Sequence, residues 1–146
     1  MAKPERGAAD ADGWVRWNPH DTTRFPTFLG PLDVRRDGPR ARVRMTPEHR
    51  HSNYGDNVHG GTTLGFIDCA LFAAMRALGL RAAGPAVTLD LQTQFTGAAR
   101  VGLPMEAEVE VLRETGRLLF MRGVVEQAGE GVAAFSAIVR KVRPAA

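Results

Sequence analysis

The alternation of polar and apolar positions along the chain is interrupted once, at residues 59–76, HGGTTLGFIDCALFAAMR. Among the sixteen residues between His59 and Arg76, only Asp68 and the thiol of Cys69 can ionise. A surface helix shows one polar face, so a helix apolar on nearly all sides belongs inside something. Helical spacing sets Gly61, Leu64, Asp68, Leu71 and Met75 on one side, and the carboxylate projects from an apolar stripe. A carboxylate in apolar surroundings costs several kcal/mol unless it is paired, protonated or wet. Asp68 is therefore a site candidate.

On either side the pattern changes to period two. Residues 32–46 predict a β-hairpin about Asp37-Gly38, with Ala41, Val43 and Met45 facing a core and Arg40, Arg42 and Arg44 facing water. These arginines read as a solvated face, the alternative being a patch that attracts a phosphorylated ligand. Gly79 and Gly84-Pro85 stop the helix. Strands are predicted at 86–95, 104–114, 117–127 and 132–142, joined largely by short turns. In the first of these, Val87, Leu89 and Leu91 alternate with Thr88, Asp90, Gln92 and Gln94. The sum is an α+β fold: an antiparallel sheet of about six strands wrapped around one long helix. One sheet covers one side of a helix, so a second subunit is expected over part of the remainder.

Residues 1–22 read as an N-terminal tail, partly disordered, with Trp14 and Trp17 docked on the domain at 23–146. Within 21–29 a short helix is expected, capped by Asp21 or Thr22 and limited by Pro26. At 146 residues the chain is one domain by length, and its 44% apolar and 24% charged content is ordinary for a globular protein. A single cysteine excludes an internal disulfide and suits the cytoplasm, as does the absence of a signal-like apolar run at the N-terminus. The apolar segment is too short, and carries an acid, for a membrane span. A net charge of +3 permits a polyanion partner, but no aromatics interleave the basic strand as nucleic-acid binding would need. His49, His51 and His59 lack the carboxylate pattern of a helical metal motif, so neither metal nor other cofactor is expected. Lys141, Arg140, Arg143 and Arg100 read as solvated strand-end charges, with nucleotide phosphates as the alternative.

Asn53, His59-Gly60-Gly61 and Asp68, in the spacing N-x5-HGG-x6-D, are followed by VTLD at 87–90 and a strand end from Phe95 to Ala99. This set resembles the hotdog-fold acyl-CoA thioesterases of the phenylacetate-degradation type, over roughly residues 25–142. The resemblance implies hydrolysis of an acyl-CoA at sites on a homodimer interface, commonly within a dimer of dimers.

The chemistry asks for these residue types. A thioester carbonyl becomes an oxyanion in the tetrahedral transition state, and the first amides of a helix are unpaired donors at its positive end. Gly60 and Gly61 put no side chain between those amides and a substrate. Asp68 lies about 12 Å along its own helix from Gly60, at about 1.5 Å per residue. Two helices meeting across an interface bring the groups together where one helix does not. The family uses that arrangement, with the acid from one subunit and the glycine amide and Asn53 from the other. Asp68 is expected as general base, with nucleophilic attack as the alternative. By resemblance Asn53 orients water or thioester, His59 shapes the helix entrance beside Gly61, and Thr88 is the hydroxyl that assists the water. Strand parity, however, points Thr88 away from the Val87/Leu89 face. The family commonly has glycine three residues before the histidine, where this chain has Asp56 after Gly55; Asn57 is the substitute for Asn53 should the loop path differ. Phe66, Phe72 and Met75 are candidates for an acyl pocket or for ordinary core. A non-catalytic acyl-thioester-binding module and an acyl-thioester dehydratase or hydratase are the competing functions; the first would not need Asp68, and the second resembles a different motif.

Overall fold

A computed structural model describes residues 5–18, 21–80 and 86–141. Arg143 and the Gly84-Pro85 helix stop lie outside the described residues. In chain order the elements are β1 (Glu5–Arg6), β2 (Val15–Asn18), α1 (Phe25–Phe28), β3 (Leu32–Asp37), β4 (Arg40–Met45), a 3-10 turn at His49–His51, α2 (Gly60–Ala77), β5 (Ala86–Phe95), β6 (Met105–Glu114), β7 (Leu118–Gln127) and β8 (Glu130–Lys141). The strands form one antiparallel sheet in the order β1-β2-β3-β4-β6-β7-β8-β5, and α2 lies across one face of it.

The sheet has eight strands where about six were expected, because β1 and β2 come from the N-terminal stretch. Trp14 is buried beside β2, and the guanidinium groups of Arg35 and Arg44 lie 4.7 and 4.2 Å from its ring centre. Cation–π contacts of this kind, with the register Val15 to Val34 and Trp17 to Leu32, fasten β2 to β3. The β3–β4 hairpin turns through Gly38 at φ +59, the left-handed conformation for which glycine has no steric penalty. The short helix begins at Phe25 with no side-chain cap. Asp21, expected as that cap, instead accepts from the Thr23 amide at 2.9 Å and from Arg24 Nε at 2.7 Å.

The arginine face of β4 meets the glutamate face of β6. Arg42 pairs with Glu108 at 2.7 Å and Glu106 at 3.1 Å, and Arg40 pairs with Glu108 at 2.9 Å. Cross-strand pairs of opposite charge stabilise the ladder modestly, and here they neutralise the cationic stripe. It is a solvated face.

Helix α2 ends as its sequence predicts. Gly79 has φ +69, its amide donates to Arg76 O at 3.1 Å, and the Leu80 amide reaches back to Met75 O at 2.9 Å. Phe66, Ile67, Ala70, Leu71, Ala73 and Ala74 are fully buried against the sheet. Leu71 and Met75 are buried too, so the less-covered stripe runs instead through Gly61, Leu64, Gly65, Asp68, Phe72 and Arg76. The core is tight where β6, β7 and β8 meet. A Cβ at Gly123 would collide with the Glu108 carbonyl and the Phe135 ring. Gly123→Ala is therefore expected to cost about 1–3 kcal/mol, the usual penalty of overpacking. Chemical denaturation checks this; an unchanged midpoint would contradict the register of β6, β7 and β8.

Candidate functional site

The loop from 47 to 58 delivers the chain to the start of α2, and it is held at several points. His51 is buried; its Nδ1 accepts from the Glu48 amide at 2.9 Å, which leaves Nε2–H to donate to Phe28 O at 2.6 Å. It is a structural histidine that ties the end of α1 to the loop. Its own carbonyl accepts from the His59 amide at 2.8 Å. Asn53 Oδ1 accepts from the amides of Gly55 at 2.9 Å and Asn57 at 3.1 Å, so this side chain organises the loop around itself. Asp56 sits in that loop at φ +61. The left-handed backbone there favours glycine, and aspartate is among the residues that tolerate it. Bridges from Ser52 to Val58 and from Asn57 to Arg100 complete the loop. Behind them the buried Gln127 accepts from the Arg100 amide at 2.7 Å and donates to Arg100 O and Leu103 O. Nothing in the sequence pattern singled out Gln127, because a glutamine inside a strand carries no motif.

At the mouth of α2 the donors can be accounted for one by one. His59 is the N-cap residue, and its Nδ1 accepts from the Gly61 amide at 2.8 Å. The amides of Thr62 and Thr63 turn back to His59 O at 2.9 and 3.2 Å. The Gly60 amide has no acceptor among the described residues. It is the one first-turn donor left at the positive end of the helix dipole. A Cβ on Gly61 would come within 3.0 Å of His59 Nδ1, so that glycine makes room for the cap. A Cβ on Gly60 would approach the Phe95 ring at 3.3 Å.

Two turns on, Asp68 is half-buried and accepts a hydrogen bond from Thr88 Oγ1 at 2.6 Å. It has no ion-pair partner among the described residues, and Oδ2 is not engaged there. Strand parity suggested that Thr88 points away from the core, and a β-bulge removes the difficulty. The β5–β8 register shifts between Thr88 and Asp90. Thr88 lies opposite the buried Val139, and Leu91 lies opposite the buried Ala137. Directly opposed residues share a face, so both point at the helix although they are three positions apart. Val87 and Leu89 are left on the outside, 44% and 56% exposed. Thr88 and Asp68 thus meet, whereas Asn53 is engaged in its own loop and makes no hydrogen bond to either. Phe66 and Met75 are core, and Phe72 packs against it partly buried. The exposed aromatics are Phe25, Phe28, Phe95 and Tyr54, of which the sequence pattern had marked Phe95 alone. Among the described residues no three His, Cys, Asp or Glu side chains are grouped to hold a metal ion, and no helix is long and apolar enough to cross a membrane.

The model of one protein family, described as the thioesterase superfamily, matches residues 55–134. The chain belongs to the thioesterase superfamily. Among similar proteins is one from Pseudomonas aeruginosa named "Putative esterase PA0474", 32% identical over 112 residues, or 76% of this chain and 83% of that protein. The N33D mutant of the phenylacetic acid degradation protein PaaI from Thermus thermophilus is 28% identical, with a TM-score of 0.65 over 79% of this chain and 96% of that one. PaaI from Escherichia coli, at 20% identity, shares the fold with a TM-score of 0.70 over 84% of this chain and 86% of its own. This thioesterase-superfamily chain therefore has the hotdog fold, and its family supports a hydrolase.

Cys69 stands beside Asp68 in sequence but is buried on another side of α2. Burial, with the Asp68 charge second, pushes its thiol from 9.0 up to about 12. The folded state therefore holds the proton more tightly than the unfolded chain. This contribution to stability is complete below about pH 9 and is lost as pH rises towards about 12. At pH 8 a thiol-directed reagent is expected to leave native Cys69 unmodified and to react once the chain is unfolded. Rapid modification of the native protein would contradict the burial.

Proposed function

We propose that the protein hydrolyses acyl-CoA thioesters to the free acid and CoA, at sites shared between two copies of the chain. The observation that carries the reading is the pairing of Thr88 with Asp68 beside a less-covered helix face. The Thr88 hydroxyl holds one carboxylate oxygen and leaves the other to accept the proton of an attacking water. In this reading Asp68 is the general base, with direct attack by its carboxylate as the alternative route. The Gly60 amide polarises the thioester carbonyl; one donor of this kind is worth about 3–4 kcal/mol of barrier. His59 presents that donor by capping the helix, and Gly61 leaves it room. Asn53, its Oδ1 committed to the loop, contributes its Nδ2 donors to the water or thioester.

Gly60 and Asp68 of one α2 are about 12 Å apart along the axis, so the acid of one copy works with the amide of another. Support for a homodimer comes from the outer edge of β5, the last strand of the sheet, with Val87 and Leu89 exposed on it. A long edge strand with exposed apolar residues is a ready surface for another chain. Two such dimers would form a tetramer. A single thiol and CoA chemistry fit the cytoplasm.

The test is a panel of acyl-CoAs with released thiol measured on wild type and on Asp68→Asn. Turnover is expected to fall by about a hundredfold or more with thermal stability intact, as for loss of a base or nucleophile. Thr88→Val, which keeps the shape and removes the donor, should lower kcat with little change in KM. Equal hydrolysis by wild type and Asp68→Asn would defeat the assignment.

A further inference from the structure

The less-covered stripe of α2 has an aromatic flank. At about 100° per residue, Gly65 lies about 60° to one side of Asp68 and Gly60 about 80° to the other. The Phe25 ring sits on Gly65 so closely that a Cβ there would come within 2.8 Å of its Cζ. On the other side the Phe95 ring covers Gly60. Viewed down the helix axis Asp68 lies between the two, and along the axis it lies beyond both, about 4.5 Å past Gly65.

Phe25 is fixed in place while remaining 58% exposed. Its ring stacks with Phe28, centroids 6.2 Å apart and planes 28° from parallel. Phe28 in turn meets the buried His51 ring edge-on at 5.0 Å, and its carbonyl takes the His51 Nε2–H bond. Leu29, 1% exposed, anchors the end of α1 in the core. A short helix so firmly held, yet showing two phenyl rings to solvent, forms an apolar wall next to a carboxylate with a free oxygen. Gly65 seats the Phe25 ring against the helix, because any side chain there would displace it, and Gly61 leaves the exposed helix backbone bare one turn earlier.

We propose that Phe25, backed by Phe28, is the specificity-determining wall for the acyl half of the substrate. The acyl chain lies against the exposed face of Phe25, where the ring covers Gly65, with its carbonyl beside Asp68. The wall favours bulky apolar acyl groups over acetyl, because a two-carbon acyl group is too short to reach it. This rests on the site proposed for hydrolysis, yet it concerns binding and can be measured apart from turnover.

The experiment compares two non-hydrolysable thioethers, S-hexyl-CoA and S-methyl-CoA, by calorimetry on wild type, Phe25→Ala and Gly65→Ala. Wild type is expected to prefer the hexyl compound by about tenfold or more, in line with the apolar area buried. Phe25→Ala should lose most of that preference while S-methyl-CoA binds as before. Gly65→Ala, which keeps the phenyl ring but pushes it off the helix, should show the same selective loss. An unchanged preference in both variants, or no binding of the hexyl compound to wild type, overturns the proposal. So does a variant that dissociates into smaller species and weakens both ligands equally, which would make Phe25 an interface residue. If wild type binds with this preference but cleaves no acyl-CoA, the hydrolysis reading fails and the wall stands.

Discussion

One sheet covers one side of a helix, and α2 is apolar around most of its circumference. The eight strands bury Phe66, Ile67, Ala70, Leu71, Ala73 and Ala74, and a stripe through Gly61, Asp68 and Phe72 is left less covered. A carboxylate in that stripe is neither in bulk water nor in the core. Among the described residues its one hydrogen-bond partner is the hydroxyl of Thr88 at 2.6 Å. The bulge in β5 brings that hydroxyl to bear, and the same bulge leaves Val87 and Leu89 facing outward. One local irregularity thus builds a polar contact on the inside of the sheet and an apolar edge on the outside. In the proposed enzyme the two belong together, since the edge would recruit the copy whose helix tip faces the acid.

The helix tip shows the same economy. Four amides emerge from the first turn, and His59 accounts for three of them through its ring nitrogen and its carbonyl. The Gly60 amide remains. A cap that satisfied all four would stabilise the helix more and leave no donor for a substrate oxygen. The loop behind is held by side chains: His51, Asn53 Oδ1 and Gln127 direct hydrogen bonds to backbone groups, and the path they fix aims the mouth of α2.

The helix, its ends, the hairpin and the four strands after α2 were legible in the sequence because each rests on a local pattern: apolar run, Gly79, Asp37-Gly38, alternation. Asp68 was legible as the single carboxylate in an oily segment. The inward direction of Thr88 was not, because a bulge shifts the period-two count and leaves no sequence signature. The strands at Glu5–Arg6 and Val15–Asn18 were hidden by their brevity and polar surroundings. The aromatic flank at Phe25 and Phe28 was hidden too, since the exposed Phe25 gains meaning only when the residue beneath it, Gly65, is known. The arginines of β4 were ambiguous until β6 supplied their partners, because strand order is not written in either strand alone.

The account turns on the acid and the amide being supplied by different copies of the chain. Gly60→Pro removes the amide at the cost of a small shift in the exposed Phe95 ring, since proline is favoured at the first position of a helix and His59, at φ −64 and ψ 137, already has the extended backbone that precedes proline. The most direct measurement mixes Gly60→Pro with Asp68→Asn, each nearly inactive by itself, under conditions that let subunits exchange. Half of the dimers are then mixed, and each mixed dimer holds one intact site and one doubly defective site. The account predicts recovery of about a quarter of wild-type turnover. A mixture as inactive as its parents, with exchange verified, would show that each site is built within one chain and would contradict it.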